Sequence, residues 1–408
     1  MKILIVSQYF WPEHFLINDI AKILVAKGHQ VFVLTGKPNY PKGKIFKGYD
    51  YFSISDQTIN NINVIRVPII PRFSSYFTLL LNYISFVISA IIFGFWKLKD
   101  KKFEAIFVFG NSPIFQAIPA IFFAKIFKKP ISIWIQDLWP ESLSAIKFTN
   151  NKYLLSLIKI IVKFIYSNVD LILVQSRGFY KKINILNKST QIKYLPNFYS
   201  KESSQLSFNK KYDKFFRKKF IFMFAGNLGK AQSLDTLIDA AYLLRNESDI
   251  EFILIGDGSE KRNLIEKVDK LNLKNIIFIE QQTSNVINSF LQKASALIIT
   301  LGDQEVLNLT IPSKIQAYLS SAKPIIASLN GTSASILRES GSAIVVRAED
   351  PIKLKNAILK FTRLSLKERN LMGKKGKIYF ENNFSITKFM DNFISFMNLS
   401  IKNFNKRK

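Results

Sequence analysis

A chain of 408 residues with 48% hydrophobic and 21% charged side chains is a folded globular protein, and its length suggests two domains of about 200 residues each. Zero cysteines exclude disulfides and thiolate metal sites, and two histidines leave little for a histidine-based one. A formal net charge of +29 calls for anionic company: nucleic acid, acidic headgroups or phosphorylated substrates.

The chain opens with KILIVSQ (2–8), read as a buried strand rather than a signal peptide, since Ser7 and Gln8 interrupt it and no cleavage site follows. An amphipathic helix comes next. Phe15, Ile17, Ile20, Ala21, Ile23 and Leu24 alternate with Asn18, Asp19 and Lys22 up to Gly28, and a second strand, QVFVLTG (30–36), follows. Strand, helix and strand with short links predict a right-handed unit and a parallel sheet. The alternation resumes with EAIFVFG (104–110), a helix from Pro113 to about Phe127, PISIWIQ (130–136), a helix near 151–168 and DLILVQS (170–176).

The Pro-marked, polar stretch 195–214 reads as a linker, after which strands are expected near 219–225, 251–256, 275–280, 296–301, 324–329 and 343–347. Residues 351–405 read as helical throughout. The fold class is therefore α/β, two doubly wound Rossmann-like domains: 1–198, then 199–384, with 385–408 a final helix expected to return to the first domain.

The run YFTLLLNYISFVISAIIFGFW (76–96) is long enough to span a bilayer. A single span would put strands 2–8 and 104–110 on opposite sides of the membrane, so the expectation is an in-plane anchor. Thr78, Asn82, Ser85 and Ser89 form a weakly polar stripe at helical spacing, and Lys97, Lys99, Lys101 and Lys102 follow at headgroup depth. A core helix is the rival reading. The lysines are scattered, with no zinc-finger spacing and no RNP-type aromatic motif, so an anionic membrane surface is expected and nucleic acid is not.

Chemistry is most legible in 219–331. AGNLGKAQSL (225–234), GDG (256–258) and LTIPSKIQAYL (309–319) each follow a predicted strand and lead into a helix start, where unpaired N–H groups and the helix dipole favour phosphate. Lys230 and Lys314 accompany two of these turns. Together they suggest a diphosphate site that needs no metal or other cofactor, and no Asp-x-Asp motif is present to bind one. The donor set read here is Gly226, Asn227, Lys230, Gln232, Gly256, Asp257, Glu280, Thr310, Ser313 and Lys314. A simple turn is the alternative for Gly256–Gly258, and an ordinary helix-start lysine for Lys314.

With SQYFWPE (7–13), GHQVFVLTGKPNYPKGK (28–44), WIQDLWPES (134–142) and PSKIQAYL (312–319) in order, the chain resembles a GT-B glycosyltransferase of family 4. Its likeness is to the bacterial O-antigen and colanic-acid branch, typified by an L-fucosamine transferase. That resemblance implies two domains facing across a cleft and retaining transfer of a sugar from a nucleotide donor, a UDP-linked amino sugar being expected. It further implies a polyprenyl-diphosphate-linked saccharide as acceptor, and polysaccharide assembly on the cytoplasmic face of the membrane.

Departures from the family pattern are specific. The paired glutamates fall at Leu309 and Ala317, the usual Gly-Arg is Gly226-Asn227, the Lys-Gly is Gln232-Ser233, and a common histidine is Gln136. Expected acceptor residues are Trp11, Pro12, Asn39, Tyr40 and Trp139; expected catalytic carboxylates are Asp137, Glu141 and Glu13. A helix cap is the plain alternative for Asp137, and a hydrophobic plug for the 9–12 cluster. Rival functions are a sugar-nucleotide epimerase of the same fold and a non-catalytic basic membrane-surface protein. An oxidoreductase is disfavoured because the first strand lacks a Gly-x-Gly-x-x-Gly turn.

Overall fold

The computed structural model describes residues 1–73, 76–145, 151–200, 208 and 210–407; residues 201–207 and 209 of the expected linker lie outside the described residues. The chain divides into two compact units, Met1–Leu195 with Met390–Lys408, and Pro196–Phe389.

The first unit contains β1 (Lys2–Val6), α1 (Leu16–Ala26), β2 (Gln30–Gly36), β3 (Ser55–Ile59), β4 (Ile62–Val67), α2 (Tyr76–Leu98), β5 (Ala105–Gly110), α3 (Ala117–Ile126), β6 (Ile131–Ile135), α4 (Glu141–Ala145), α5 (Lys152–Ser167), β7 (Leu171–Val174), α6 (Phe179–Leu186) and β8 (Gln191–Tyr194). Its sheet runs β3-β4-β2-β1-β5-β6-β7-β8, parallel except for the β3–β4 pair. The β3–β4 hairpin and β8 are absent from the sequence reading. β3 is polar in four of its five residues and β8 has only four residues, so neither edge strand stands out, whereas the central strands are continuous apolar runs.

The second unit carries β9 (Phe220–Ala225), α7 (Asp235–Leu243), β10 (Ile250–Ile255), α8 (Lys261–Lys270), β11 (Ile276–Ile279), α9 (Ser284–Lys293), β12 (Ala296–Thr300), α10 (Glu305–Leu309), α11 (Ser313–Ser320), β13 (Ile325–Ser328), α12 (Gly331–Glu339), β14 (Ala343–Val346), α13 (Pro351–Thr362) and α14 (Leu366–Asn383). Its strands lie in the order β11-β10-β9-β12-β13-β14, all parallel, which is the Rossmann order with its switch point between β9 and β12. Phe222, Phe224, Ile238, Phe252, Leu254 and Phe361 anchor the core between this sheet and its helices. The last helix, α15 (Ile386–Asn405), belongs to the first unit from Met390 onward, where Phe393 meets Phe107 edge-on at 4.8 Å and Ser400 bonds Ser132.

In α2 the usual amphipathic arrangement is inverted. Its polar residues face the protein: Asn82 is fully buried, accepts from the Gln8 side-chain amide at 2.7 Å and donates to the Ile70 carbonyl at 2.6 Å. Ser85 accepts from the Ile70 amide, and the Thr78 hydroxyl donates to the Arg72 carbonyl. Gly94 lets the helix approach Leu34 and Phe123, where a Cβ would lie 3.0 Å from each. Leu80, Ile84, Ile88, Ile92 and Trp96, spaced by four, are instead the exposed face.

Candidate functional site

The second unit holds a cavity of about 570 Å³ at the carboxyl ends of β9 and β10, closed on one side by the start of α11. Its floor depends on two glycines. Gly256 has φ +151°, and a Cβ there would sit 1.9 Å from the Gly226 carbonyl oxygen, so the two strand ends touch backbone to backbone. Tyr318 seals the base: its hydroxyl accepts from the Ala225 amide at 2.7 Å and donates to the Ala225 carbonyl.

Lys314 enters this cavity from the first turn of α11. Its ammonium donates to Gln232 Oε1 at 2.9 Å and lies 3.4 Å from the Phe224 ring centroid. Neither partner is a carboxylate, and among the described residues no ion pair reaches it. Burial pushes this amine well below the usual lysine range. A half-buried amine with a neutral acceptor, an aromatic face and open space ahead of it is an anion site waiting for its counter-charge. The α11 N-terminus adds unpaired amides, with Pro312 as the capping residue and no side-chain cap.

Seven of the ten expected donor residues line the cavity: Gly226, Asn227, Gln232, Gly256, Asp257, Ser313 and Lys314. Three do not. Lys230 is exposed on the short 3-10 turn Lys230–Gln232, so the expected two-lysine clamp becomes Lys314 paired with Gln232. Glu280 turns outward to Lys261 at 2.9 Å, and the Thr310 hydroxyl returns to the Val306 carbonyl. The sequence reading missed Tyr199, Gln281, Gln282, Ile287, Leu291, Ala317 and Tyr318. Gln281 and Gln282 follow the end of β11, so the strand-end rule that found Asp257 would have found them; Tyr199 carries no such signal. Ala317, where the resembling family has a glutamate, lines the wall.

In the first unit the strand ends are filled. Gln8 donates its amide N–H to Gln116 Oε1 at 2.6 Å, and Gln116 donates to Asn111 and Phe109, all buried at the switch point beside β1 and β5. Glu13 is buried, with Oε1 accepting from the Asn39 and Tyr40 amides at 2.8 and 2.7 Å and Oε2 from Phe10 at 3.3 Å. Burial still raises its carboxyl to about 7. Glu13 therefore closes a loop rather than facing a reactant, which corrects its placement among the catalytic carboxylates.

Tyr9 and Phe10 form the plug, with Tyr9 stacked on Phe15 at 5.3 Å, while Trp11, next to Pro12, remains exposed. Asn39 is fully buried and holds the Lys37 carbonyl and the Arg72 amide, so its side chain is structural. Tyr40 is partly exposed beneath the Arg72 guanidinium, 5.1 Å from its ring.

Asp137 accepts from the Ser112 hydroxyl at 2.9 Å, Ser112 accepts from Trp139 Nε1 at 3.0 Å, and burial raises the Asp137 carboxyl. Trp139 itself is buried, so it presents no open stacking face for a sugar. Beside Asp137, Gln136 Nε2 is a buried donor with no partner among the described residues. Glu141 starts α4 and is half-buried. Among the described residues no group of three or more His, Cys, Asp or Glu side chains gathers as a metal site.

Residues 207–379 match the family described as "Glycosyl transferases group 1". WcaI of Escherichia coli K12, whose name assigns it to colanic acid biosynthesis as a glycosyl transferase, is 23% identical over 336 residues, 78% of this chain and 81% of its own length. Among solved structures, Anabaena Alr3699/HepE in complex with UDP and glucose superposes with a TM-score of 0.69 at 14% identity, covering 98% of this chain and 99% of that one. Sucrose-phosphate synthase from Thermosynechococcus elongatus superposes at 0.70 and 14% identity, covering 98% of each chain. The architecture is the GT-B fold, with two Rossmann-like α/β domains.

Proposed function

We propose that this relative of the group 1 glycosyl transferases moves a sugar, with retention of configuration, from a nucleoside-diphosphate donor to a lipid-linked saccharide in cell-surface polysaccharide assembly. The observation that carries the reading is Lys314: a half-buried amine without an acidic partner among the described residues, lining a cavity that also receives a helix N-terminus. Arrival of a diphosphate supplies the missing negative charge. As the glycosidic bond to the donor breaks, charge grows on the leaving phosphate, so fixed donors at Lys314 and the α11 amides hold the transition state more tightly than the ground state. That role needs no metal in this proposal.

The sugar-ring and acceptor chemistry is assigned to the first unit. Asp137, held by Ser112 and raised toward the neutral form, is the carboxylate proposed to receive the acceptor hydroxyl proton or to face the cationic sugar. An amino sugar and a UDP carrier are the expected donor parts. The outward apolar stripe of α2, followed by Lys97, Lys99, Lys101 and Lys102, supports a monotopic seat on the anionic inner face of the cytoplasmic membrane.

Thermal-shift measurement against UDP, GDP, dTDP and CDP, each with and without EDTA, tests the donor site. Stabilisation by at least one nucleoside diphosphate that survives EDTA is expected. Loss of all stabilisation in EDTA sinks the metal-free site, and no response to any nucleotide sinks the enzyme reading in favour of a non-catalytic surface protein.

A further inference from the structure

A second cavity, of about 320 Å³, lies wholly within the first unit and is lined by apolar and aromatic side chains. Leu80 and Ile84 of α2 form one wall, Leu157 and Ile158 of α5 the opposite one, with Phe115 and Trp139 deeper in. Leu80, Ile84 and Leu157 are exposed, so the groove opens on the same apolar face that α2 turns outward. On α5 that face continues through Ile160 and Phe164, with Lys159 and Lys163 exposed between them. At its other end Trp139 is the first member of the chain Trp139–Ser112–Asp137. Arg72 precedes α2, where the Thr78 hydroxyl holds its carbonyl and its guanidinium lies over the Tyr40 ring, and Tyr83 of the same helix lines the groove.

We infer that this groove seats the first isoprenoid units of the lipid-linked acceptor, with Arg72 meeting its diphosphate and Asp137 its sugar. The assignment rests on the lipid-linked acceptor proposed above and names where its chain goes. One occupant satisfies all three features at once. A hydrocarbon chain suits walls that offer no unpaired polar group. A mouth on a lysine-flanked apolar face lets that chain enter from a membrane. An anionic head then falls beside a guanidinium and next to the candidate carboxylate. An apolar peptide helix would match the walls but not the carboxylate reached through Trp139 and Ser112.

Farnesyl diphosphate, kept below its micellar concentration, is the probe. It is titrated calorimetrically into the full chain with saturating UDP, so that its diphosphate cannot report on the Lys314 cavity. Binding at least ten-fold tighter than inorganic diphosphate is expected, with Ile84→Trp and Leu157→Trp each weakening it at least ten-fold and Arg72→Ala weakening it less. Both tryptophans go in at exposed positions, and an unchanged UDP thermal shift certifies each fold. Equal affinity for farnesyl diphosphate and inorganic diphosphate overturns the inference, as does full affinity in both filled variants. A UDP response without farnesyl binding leaves the donor site standing and removes only the groove. Farnesyl diphosphate binding that Ile84→Trp and Leu157→Trp weaken, without any nucleotide response, upholds the groove and removes the donor site.

Discussion

Glu13 and Lys314 sit just beyond strand ends of comparable Rossmann-like sheets, and the two units treat them oppositely. Glu13 in the first unit receives three backbone N–H groups and ties the loop at 39–40 to the loop after β1. Lys314 in the second has one neutral amide oxygen and a ring, with a cavity in front of it. A buried carboxylate held by three backbone N–H groups is a fastener; an amine left without a counter-charge beside open space is a receptor. Residue type and strand-end position were alike in pointing to chemistry. Only the partners separate the two roles.

Lys314→Met breaks that contrast most severely. It should cost about 4 kcal/mol of nucleoside-diphosphate affinity, roughly a thousand-fold, because the phosphate loses its buried cation. The ligand-free variant should melt higher than wild type at neutral pH. The folded amine binds its proton less readily than the unfolded one, so wild-type stability rises with pH up to the ordinary lysine range, and methionine removes the cost below it. UDP binding should strengthen the amine's hold on its proton, so proton uptake should grow as pH rises toward the ordinary lysine range, seen by calorimetry in buffers of different ionisation heat. No uptake at any pH up to the ordinary lysine range would mean the amine is not the phosphate partner.

Glu13→Gln probes the other side. The folded carboxyl at about 7 holds its proton where the unfolded carboxyl, at 4.5, has lost it. Wild-type stability therefore falls as pH rises from 4.5 to 7, by on the order of 3 kcal/mol, and the glutamine variant should lack that decline in urea titrations. Nucleotide affinity should stay within two-fold. A large fall in turnover at unchanged stability would return Glu13 to the catalytic set.

Smaller effects sharpen the rest. Ile88→Asp combined with Ile92→Asp should lower partition to anionic liposomes at least ten-fold, about 1.4 kcal/mol or more, with the UDP shift intact. Unchanged partition would return α2 to the role of an ordinary helix. Lys230→Ala should change nucleotide affinity less than about three-fold, since its side chain lies in water outside the cavity. A hundred-fold loss there would restore the two-lysine clamp.

Apolar runs bounded by Gly, Pro and Asn made the central strands legible, since parallel strands covered on both faces must be continuously hydrophobic. Gly226, Gly256 and Lys314 were legible as a cavity because strand ends in such sheets gather at one edge. The edge strands β3 and β8 and the inner strand β4 were not, and neither was the orientation of α2. Its polar stripe could be read, but Asn82 and Ser85 are matched inward to Gln8 and Ile70, residues whose nearness no local pattern encodes.

Sequence by itself determined the alternating α/β plan and the strand ends where charge collects, because burial and backbone pairing impose those periods on the residues. Tertiary structure alone decided which charge was satisfied and which was left open. Hydrogen-bond partners such as Asn39 for Glu13 and Gln232 for Lys314 lie 26 and 82 residues away along the chain, and folding brings them together.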